Sequence, residues 1–487
     1  MGSVKAFYLT GEGLTESRLY EHKMLCREFF PGALISKEPC EIDIRLEDGN
    51  WTLEEAGGRR LFHATEEADF GGLGGDPQKN QEKRDLYALL AHYTGKTIPW
   101  GILTGVRPTK MVYEGLERGL GEERIQNALE NGFMLREDKA RLAVRVAKRE
   151  RDLLRDHRGT DLDLYVGIPF CPSRCAYCSF VSYDFHTLGD SMERYTQALI
   201  REILSCGHMA EGRRLQSFYM GGGTPTTLSP DQLDRVLGAV QEAFGWNRMA
   251  EATVEAGRPD TIDEAHLSVL RKHGIGRISV NPQTMNQKTL ERIGRGHTVE
   301  DTRRAFSLAR EMGFTNINMD FIVGLPGEKT EDVAYSMEEV GKLRPDSLTV
   351  HTLAVKRSSR LREEGQTDAV LGQSETEEMI RLCAETAAEL GMEPYYLYRQ
   401  KNMAGNFENV GYSLPGKECL YNIEIMEERQ SILAMGAGAV SKFYEPQNNR
   451  LERIPNVKNV EEYIRRVDEI RLRAQRPIAF TMAQGDV

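Results

Sequence analysis

Nowhere in this 487-residue chain do apolar side chains run unbroken for the roughly 18 positions that a membrane-spanning helix needs, which argues against an integral helical membrane protein. Basic charge is also short. There are 63 Lys and Arg against 74 Asp and Glu, a formal net charge of −11. Nucleic-acid binding draws on a positive surface, so this balance argues against such a partner, although it leaves room for a local basic pocket on a small anion. Internal repeats and low-complexity tracts are missing, which removes solenoids from consideration. The opening stretch MGSVKAFYLTGEG places acidic and polar residues where a signal peptide needs an apolar core, so a cytoplasmic location is expected. Cysteine is limited to Cys26, Cys40, Cys171, Cys175, Cys178, Cys206, Cys383 and Cys419, and in a cytoplasmic chain these do not make a disulfide framework.

What is present is the composition of a globular protein, 40% hydrophobic and 28% charged, long enough for two or three domains. From about Leu162 to Leu353, β-like runs alternate with amphipathic segments. The pattern predicts strands at 162–168, 215–222, 251–257, 276–282, 316–324 and 346–353. Each gap holds a right-handed βα crossover, so the expected fold class is α/β, a parallel sheet with helices outside. Six βα units fall short of an eight-stranded barrel. A partial (β/α)6 barrel is expected, with its reactive groups at the C-terminal ends of the strands. The expected division is an N-terminal α+β domain over residues 1–95, a helical region over 96–158, the barrel over 159–360, and a mainly helical C-terminal domain over 361–487.

Three of the eight cysteines fall within eight positions, in the run Tyr165-Val-Gly-Ile-Pro-Phe-Cys171-Pro-Ser-Arg-Cys175-Ala-Tyr177-Cys178. Thiolates spaced C-x3-C-x2-C in a loop after a strand can wrap three irons of a cubane, and soft sulfur ligands select iron–sulfur over hard cations. A structural zinc site wants four protein ligands, and no fourth Cys or His stands nearby at finger-like spacing. A zinc knuckle completed by a remote residue, or unconnected thiols, is the alternative reading. One βα unit later, Gly221-Gly-Gly-Thr-Pro225 ends a strand, and glycines there let backbone N–H and C=O groups approach a ligand.

The cysteine spacing, Tyr177 beside the last cysteine and GGGTP on the next strand resemble the radical-SAM superfamily. More specifically, YVGIPFC, CAYCSF, YMGGGTPT, TVEAGRPD, RISVNPQTMNQKTLERIGRGH and INMDFIVGLPGEKTED resemble, in order and spacing, the oxygen-independent coproporphyrinogen III oxidases (coproporphyrinogen dehydrogenases) and their haem-chaperone relatives. The match covers about residues 162–445. It looks closest to a branch with an extra N-terminal region carrying GVRPTK, here Gly105–Lys110.

The resemblance implies a 4Fe–4S cluster on Cys171, Cys175 and Cys178, with the open iron chelated by the amino and carboxylate groups of S-adenosylmethionine (SAM). It implies SAM contacts from Tyr165, Tyr177, Gly222, Gly223, Thr224, Glu255, Gln283, Arg295 and Asp320. Read alone, Glu255 is equally a charged strand end and Arg295 a solvated helix residue. Asp320, between Met319 and Phe321 in an apolar strand, needs a partner and so favours a site role. His297 caps a helix as readily as it contacts a ligand.

The implied reaction is oxidative decarboxylation of coproporphyrinogen III propionates to vinyl groups, giving protoporphyrinogen IX in porphyrin and haem biosynthesis. It demands no side-chain acid or base, but it does require an external electron donor of flavodoxin or ferredoxin type. Two departures bear on the substrate. Phe180 stands where the oxidases have a fourth cysteine. Tyr421-Asn422 replaces the His-Asn of a C-terminal segment through which the chaperones are thought to hold haem. Lys356, Arg357, Arg360, Arg399 and Lys401 are candidate cations for substrate carboxylates, and Tyr395, Tyr396 and Tyr398 are candidates to stack on a tetrapyrrole. A haem-binding protein, and a radical-SAM enzyme on another tetrapyrrole or an RNA, remain as alternatives. Residues 1–158 carry no motif that assigns them a role.

Overall fold

The computed structural model describes residues 4–55, 58–63, 65–179, 183–184, 190–246, 249–354, 361, 372–400 and 407–474. The chain divides into two compact units, Met1–Asp152 with Leu397–Glu408, and Leu153–Tyr396 with Asn409–Val487. Among the described residues no helix is long and apolar enough to cross a membrane.

The first unit is built on a five-stranded sheet of β1 (Ala6–Gly11), β2 (Leu34–Ile35), β3 (Ile42–Glu47), β4 (Asn50–Glu55) and β5 (Gly58–Phe62), in the order β2-β1-β3-β4-β5. Its core gathers Phe7, Leu9, Ile44, Trp51 and Leu53 from the strands with Leu25 and Leu86 from the helices Glu16–Phe29 and Pro77–Thr94. The second of these helices has clear end signals. Asp76 caps its start by accepting from the Lys79 N–H at 3.3 Å, Pro77 opens it, and Gly95 closes it at φ 66°.

The second unit carries β6 (Leu162–Ile168), the short pair β7 (Phe170–Cys171) and β8 (Tyr183–Asp184), β9 (Leu215–Gly222), β10 (Glu251–Gly257), β11 (Arg277–Val280), β12 (Ile317–Val323) and β13 (Ser347–Thr352). Strands β6, β9, β10, β11, β12 and β13 pair in that order, all parallel. Helices Ser191–Cys206, Pro230–Phe244, Glu264–Lys272, Val299–Glu311 and Thr330–Leu343 make the crossovers. The sheet continues through the C-terminal region: β14 (Glu393–Tyr398) and β15 (Asn409–Ser413) extend it beyond β13, while β16 (Ser431–Met435), β17 (Val440–Glu445) and β18 (Arg450–Pro455) extend it beyond β6. The chain therefore has the expected α/β architecture of an open, partial barrel.

Alternation along the parallel strands separates two faces. Leu164, Val166, Phe218, Met220, Val254, Ile278, Ile317 and Leu348 are buried on the face the helices cover. Each such side chain contributes about 1.5–3 kcal/mol through burial. The alternate positions are Asp163, Tyr165 and Gly167 on β6, Ser217, Tyr219 and Gly221 on β9, Glu251, Thr253 and Glu255 on β10, Arg277 and Ser279 on β11, and Asn318 and Asp320 on β12. The other face of the sheet is thus polar.

Where β16 joins β6, the backbone comes very close. Gly436 has φ 102°, and a Cβ on it would lie 2.5 Å from the Gly167 carbonyl oxygen, whereas Gly438 (φ 76°) has open space around it. Gly436→Ala is therefore expected to lose about 2–4 kcal/mol, and Gly438→Ala about 1 kcal/mol from left-handed strain alone. Urea unfolding followed by circular dichroism compares the two. Equal losses would contradict this close packing.

Candidate functional site

The strand β6 delivers the chain directly into the cysteine loop. Gly223 N–H donates to the Ile168 carbonyl and Thr224 N–H to the Phe170 carbonyl, both at 2.7 Å, so the glycine loop leaving β9 lies against the residues that introduce Cys171. Only glycine permits this approach at 223, because a Cβ would sit 2.5 Å from the Phe170 oxygen. Gly222 takes φ 101°, and a Cβ there would meet the Tyr165 hydroxyl at 3.0 Å. Thr224 is buried with its Oγ1 3.6 Å from Cys171 Sγ.

The far end of the cysteine loop is held by a different element. Ala176 N–H donates to the Ile293 carbonyl at 2.9 Å and Ser173 Oγ to the Gly294 carbonyl at 3.0 Å. Ala176 also joins an apolar cluster with Leu290, Ile293, Leu325 and Leu353, against which Tyr177 packs. Among the described residues no three His, Cys, Asp or Glu side chains close around a single metal ion.

Two buried guanidiniums reach Cys175. Arg258, 3% exposed, donates from Nε and Nη2 to Asp260 at 3.0 and 2.9 Å, and its Nη1 lies 3.2 Å from Ser173 Oγ and 3.8 Å from Cys175 Sγ. Arg295, 8% exposed, has Nη1 at 3.2 Å from the Tyr177 hydroxyl and 3.8 Å from Cys175 Sγ, and Nη2 donates to the Gly257 and Asn281 carbonyls. His297, 1% exposed, sits with this group. Burial, followed by the Arg295 and Arg258 charges, pushes its imidazole down to about 3, so it is neutral.

On the polar face, the rings of Tyr165, Tyr219 and Tyr421 stack. The centroids are 4.6 Å apart for Tyr219–Tyr421 and 5.8 Å for Tyr165–Tyr421, with interplanar angles of 19° and 17°. The Tyr219 hydroxyl donates to Glu255. Asp320 accepts from Asn318 Nδ2 at 2.6 Å and has His351 Nε2 at 4.0 Å. Burial pushes the Asp320 carboxyl up, but His351, Asn318 and Thr349 outweigh it and hold the group below its usual range. Gln283 takes φ 71°, a rare backbone conformation for a non-glycine, fixed by hydrogen bonds to the Asp320 carbonyl and from the Ile322 N–H, each 3.0 Å. The buried Gln283 Oε1 and Arg295 Nε have no hydrogen-bond partner among the described residues.

A family profile described as the Radical SAM superfamily matches residues 165–340. The oxygen-independent coproporphyrinogen-III oxidase-like protein HemZ of Bacillus subtilis (strain 168) is 41% identical over 385 residues, which cover 78% of this chain and 77% of that protein. The chain belongs to the radical-SAM coproporphyrinogen III oxidase-like family. The heme chaperone HemW of Lactococcus lactis subsp. lactis (strain IL1403) is 30% identical over 62% of this chain and 76% of its own length. Among solved structures, the coproporphyrinogen III oxidase HemN of Escherichia coli shares the fold, with a TM-score of 0.53, 24% identity, and coverage of 64% of this chain and 70% of that one. Membership of the radical-SAM superfamily brings a 4Fe–4S cluster and SAM as cofactors. The residues present fit these groups. The two guanidiniums match the negative charge of a thiolate-ligated cluster, and the buried Gln283 Oε1 and Arg295 Nε are without a partner among the described residues.

The residues singled out from the sequence fall into linked groups. Cys171 meets Thr224, Cys175 and Tyr177 meet Arg295, Tyr165 lies against Gly222, and Gln283 joins Asp320 through backbone. Sequence reasoning missed Arg258, Asp260 and Tyr219. Tyr219 was findable by alternation, two positions before Gly221 and in register with Tyr165. Arg399 needs a correction. It lies in the first unit, buried, pairing with Glu28 at 3.2 Å, donating to the Leu103 carbonyl and lying over the Trp100 ring, which makes it a structural cation there. Tyr395 and Tyr396 are core residues with centroids 4.9 Å apart. Lys110 pairs with Glu114 at 3.8 Å. Phe180, Lys356, Arg357, Arg360 and Lys401 lie outside the described residues.

Burial pushes the Glu255 carboxyl from its ordinary 4.5 up to about 7, against the hydrogen bond from Tyr219. Between pH 4.5 and about 7 the unfolded chain gives up this proton while the folded chain keeps it, so the residue's contribution to stability falls as pH rises through that window. Glu255→Gln removes this loss. The stability of the variant relative to wild type, from denaturant unfolding without ligands, is expected to improve between pH 4.5 and 7.5. A difference independent of pH would contradict the assignment.

Proposed function

We propose that this chain is a radical-SAM oxidoreductase that oxidatively decarboxylates propionate side chains of coproporphyrinogen III to vinyl groups, giving protoporphyrinogen IX in anaerobic porphyrin biosynthesis. The reading is carried by the meeting of the cysteine loop, the glycine loop and two buried guanidiniums at the C-terminal strand ends, in a chain 41% identical to a coproporphyrinogen-III oxidase-like relative.

In this reading Cys171, Cys175 and Cys178 hold three irons of the cluster. The Gly222, Gly223 and Thr224 backbone, with Tyr165, Tyr177, Glu255, Gln283, Arg295 and Asp320, holds SAM. When bound, the pair supplies abstraction of a hydrogen atom from an unactivated C–H bond, chemistry beyond polar side chains. The protein's own residues do the positioning. Glu255 and Asp320 offer carboxylate acceptors, and Arg295 offers its unpartnered Nε as a donor. Each propionate loses one hydrogen atom, one carbon dioxide and one electron. A one-electron acceptor is therefore needed, besides a low-potential donor of flavodoxin or ferredoxin type.

Haem handling fits less well. Tyr421 stands where the chaperone segment carries histidine. Its phenol is buried in a ring stack and pushed well above its ordinary value, so it is a poor anionic ligand for haem iron. The deciding assay is anaerobic incubation of reconstituted protein with SAM, reductant, an electron acceptor and coproporphyrinogen III, followed by mass spectrometry. The expected products have lost carbon dioxide and two hydrogens per propionate. SAM cleavage with no vinyl product, or tight stoichiometric haem binding with no turnover, would overturn the reading.

A further inference from the structure

We propose that Arg258 and Arg295 together clamp the Cys175 thiolate and set the reduction potential of the cluster it holds, with Asp260 as the opposing charge. The inference rests on Cys175 being a cluster ligand and goes beyond SAM binding by Arg295.

The charges around Cys175 do not cancel. Arg258 is matched by a two-point ion pair with Asp260, at 3.0 and 2.9 Å. Arg295 has no carboxylate partner among the described residues: besides Cys175 Sγ its Nη1 meets the Tyr177 hydroxyl, its Nη2 donates to the carbonyls of Gly257 and Asn281, and its Nε has no partner there. His297 adds no charge. The group therefore holds one buried positive charge in excess, and both guanidiniums aim Nη1 at the same sulfur, 3.8 Å away in each case. A buried cation needs a counter-ion, and a thiolate bound to an iron cluster supplies one.

The consequence is redox. Reduction adds negative charge to a cluster, and N–H donors and cations next to its sulfur ligands favour the reduced form, which raises the potential. Arg258 acts mainly through its hydrogen bond, since Asp260 offsets its charge. Arg295 acts through charge. Both are positioning residues in this role. Asp260 works against them, while Ser173 Oγ shares the Arg258 Nη1 donor and fixes its aim.

The experiment is an EPR-monitored redox titration of anaerobically purified, cluster-loaded full-length protein without SAM. With one N–H donor and its charge removed from beside the sulfur, the reduced-to-oxidised ratio of R258Q at a fixed potential is expected to fall about tenfold, equivalent to about 59 mV for a one-electron couple. D260N keeps both guanidiniums and removes the opposing charge, so its ratio is expected to rise. R295Q is expected to fall at least as far as R258Q. Opposite signs for R258Q and D260N support the clamp. No shift, or shifts of the same sign, overturn it. If R258Q loads no iron, D260N decides alone, with a rise supporting the proposal and anything else contradicting it. Iron analysis of C175A keeps the two ideas apart, since a cluster retained there would remove the ligand assignment itself.

Discussion

Two backbone hydrogen bonds, from Gly223 to Ile168 and from Thr224 to Phe170, fix where this site is built. They sew the end of β9 to the end of β6 and set Cys171 beside Thr224. The bonds exist only because position 223 has no side chain to occupy the space taken by the Phe170 carbonyl. A parallel sheet brings the C-terminal ends of its strands to one edge, so the loops after β6, β9, β10 and β11 meet without any special contrivance. The cysteine loop, the glycine loop, Arg258 and Arg295 are the contents of those four loops.

The polar face of the sheet shows how such a site coexists with a stable fold. Burial of polar groups is costly unless they are bonded, and much of the polar face is bonded internally. Asp163, for example, accepts from the Ser217 hydroxyl at 2.6 Å and its backbone N–H at 3.1 Å, and from Gln430. Arg277 Nη2 reaches Ser347 at 3.1 Å, while its Nε has no partner among the described residues. Toward the strand ends Gln283 Oε1 and Arg295 Nε are likewise without a partner among the described residues. The apolar face under the helices carries the stability, while the polar face supplies the site.

Much of this was legible in the sequence. The strands at 162–168, 215–222 and 251–257 fall where the alternation placed them, and β11, β12 and β13 lie within the expected spans. Periodicity and Gly punctuation are local signals and survive folding. The strands of the C-terminal region were harder to read, because β15 and β16 are buried throughout, which erases alternation. Arg258 was hidden for a different reason. An arginine after a strand end is normally solvated, and only the three-dimensional placement of Asp260, Ser173 and Cys175 around it makes it a buried donor. Arg399 erred in the opposite sense. Its partner Glu28 is 371 positions away in sequence, beyond the reach of any local pattern.

The central claim is that Cys171, Cys175 and Cys178 together hold one cluster with an iron left open to SAM. EPR of the dithionite-reduced, anaerobically purified protein, recorded with and without SAM, addresses it directly. The account expects a 4Fe–4S signal in wild type that changes shape when SAM is added, and its loss when all three cysteines are replaced by alanine. An unchanged signal on adding SAM, or a cluster that persists in the triple variant, would contradict it.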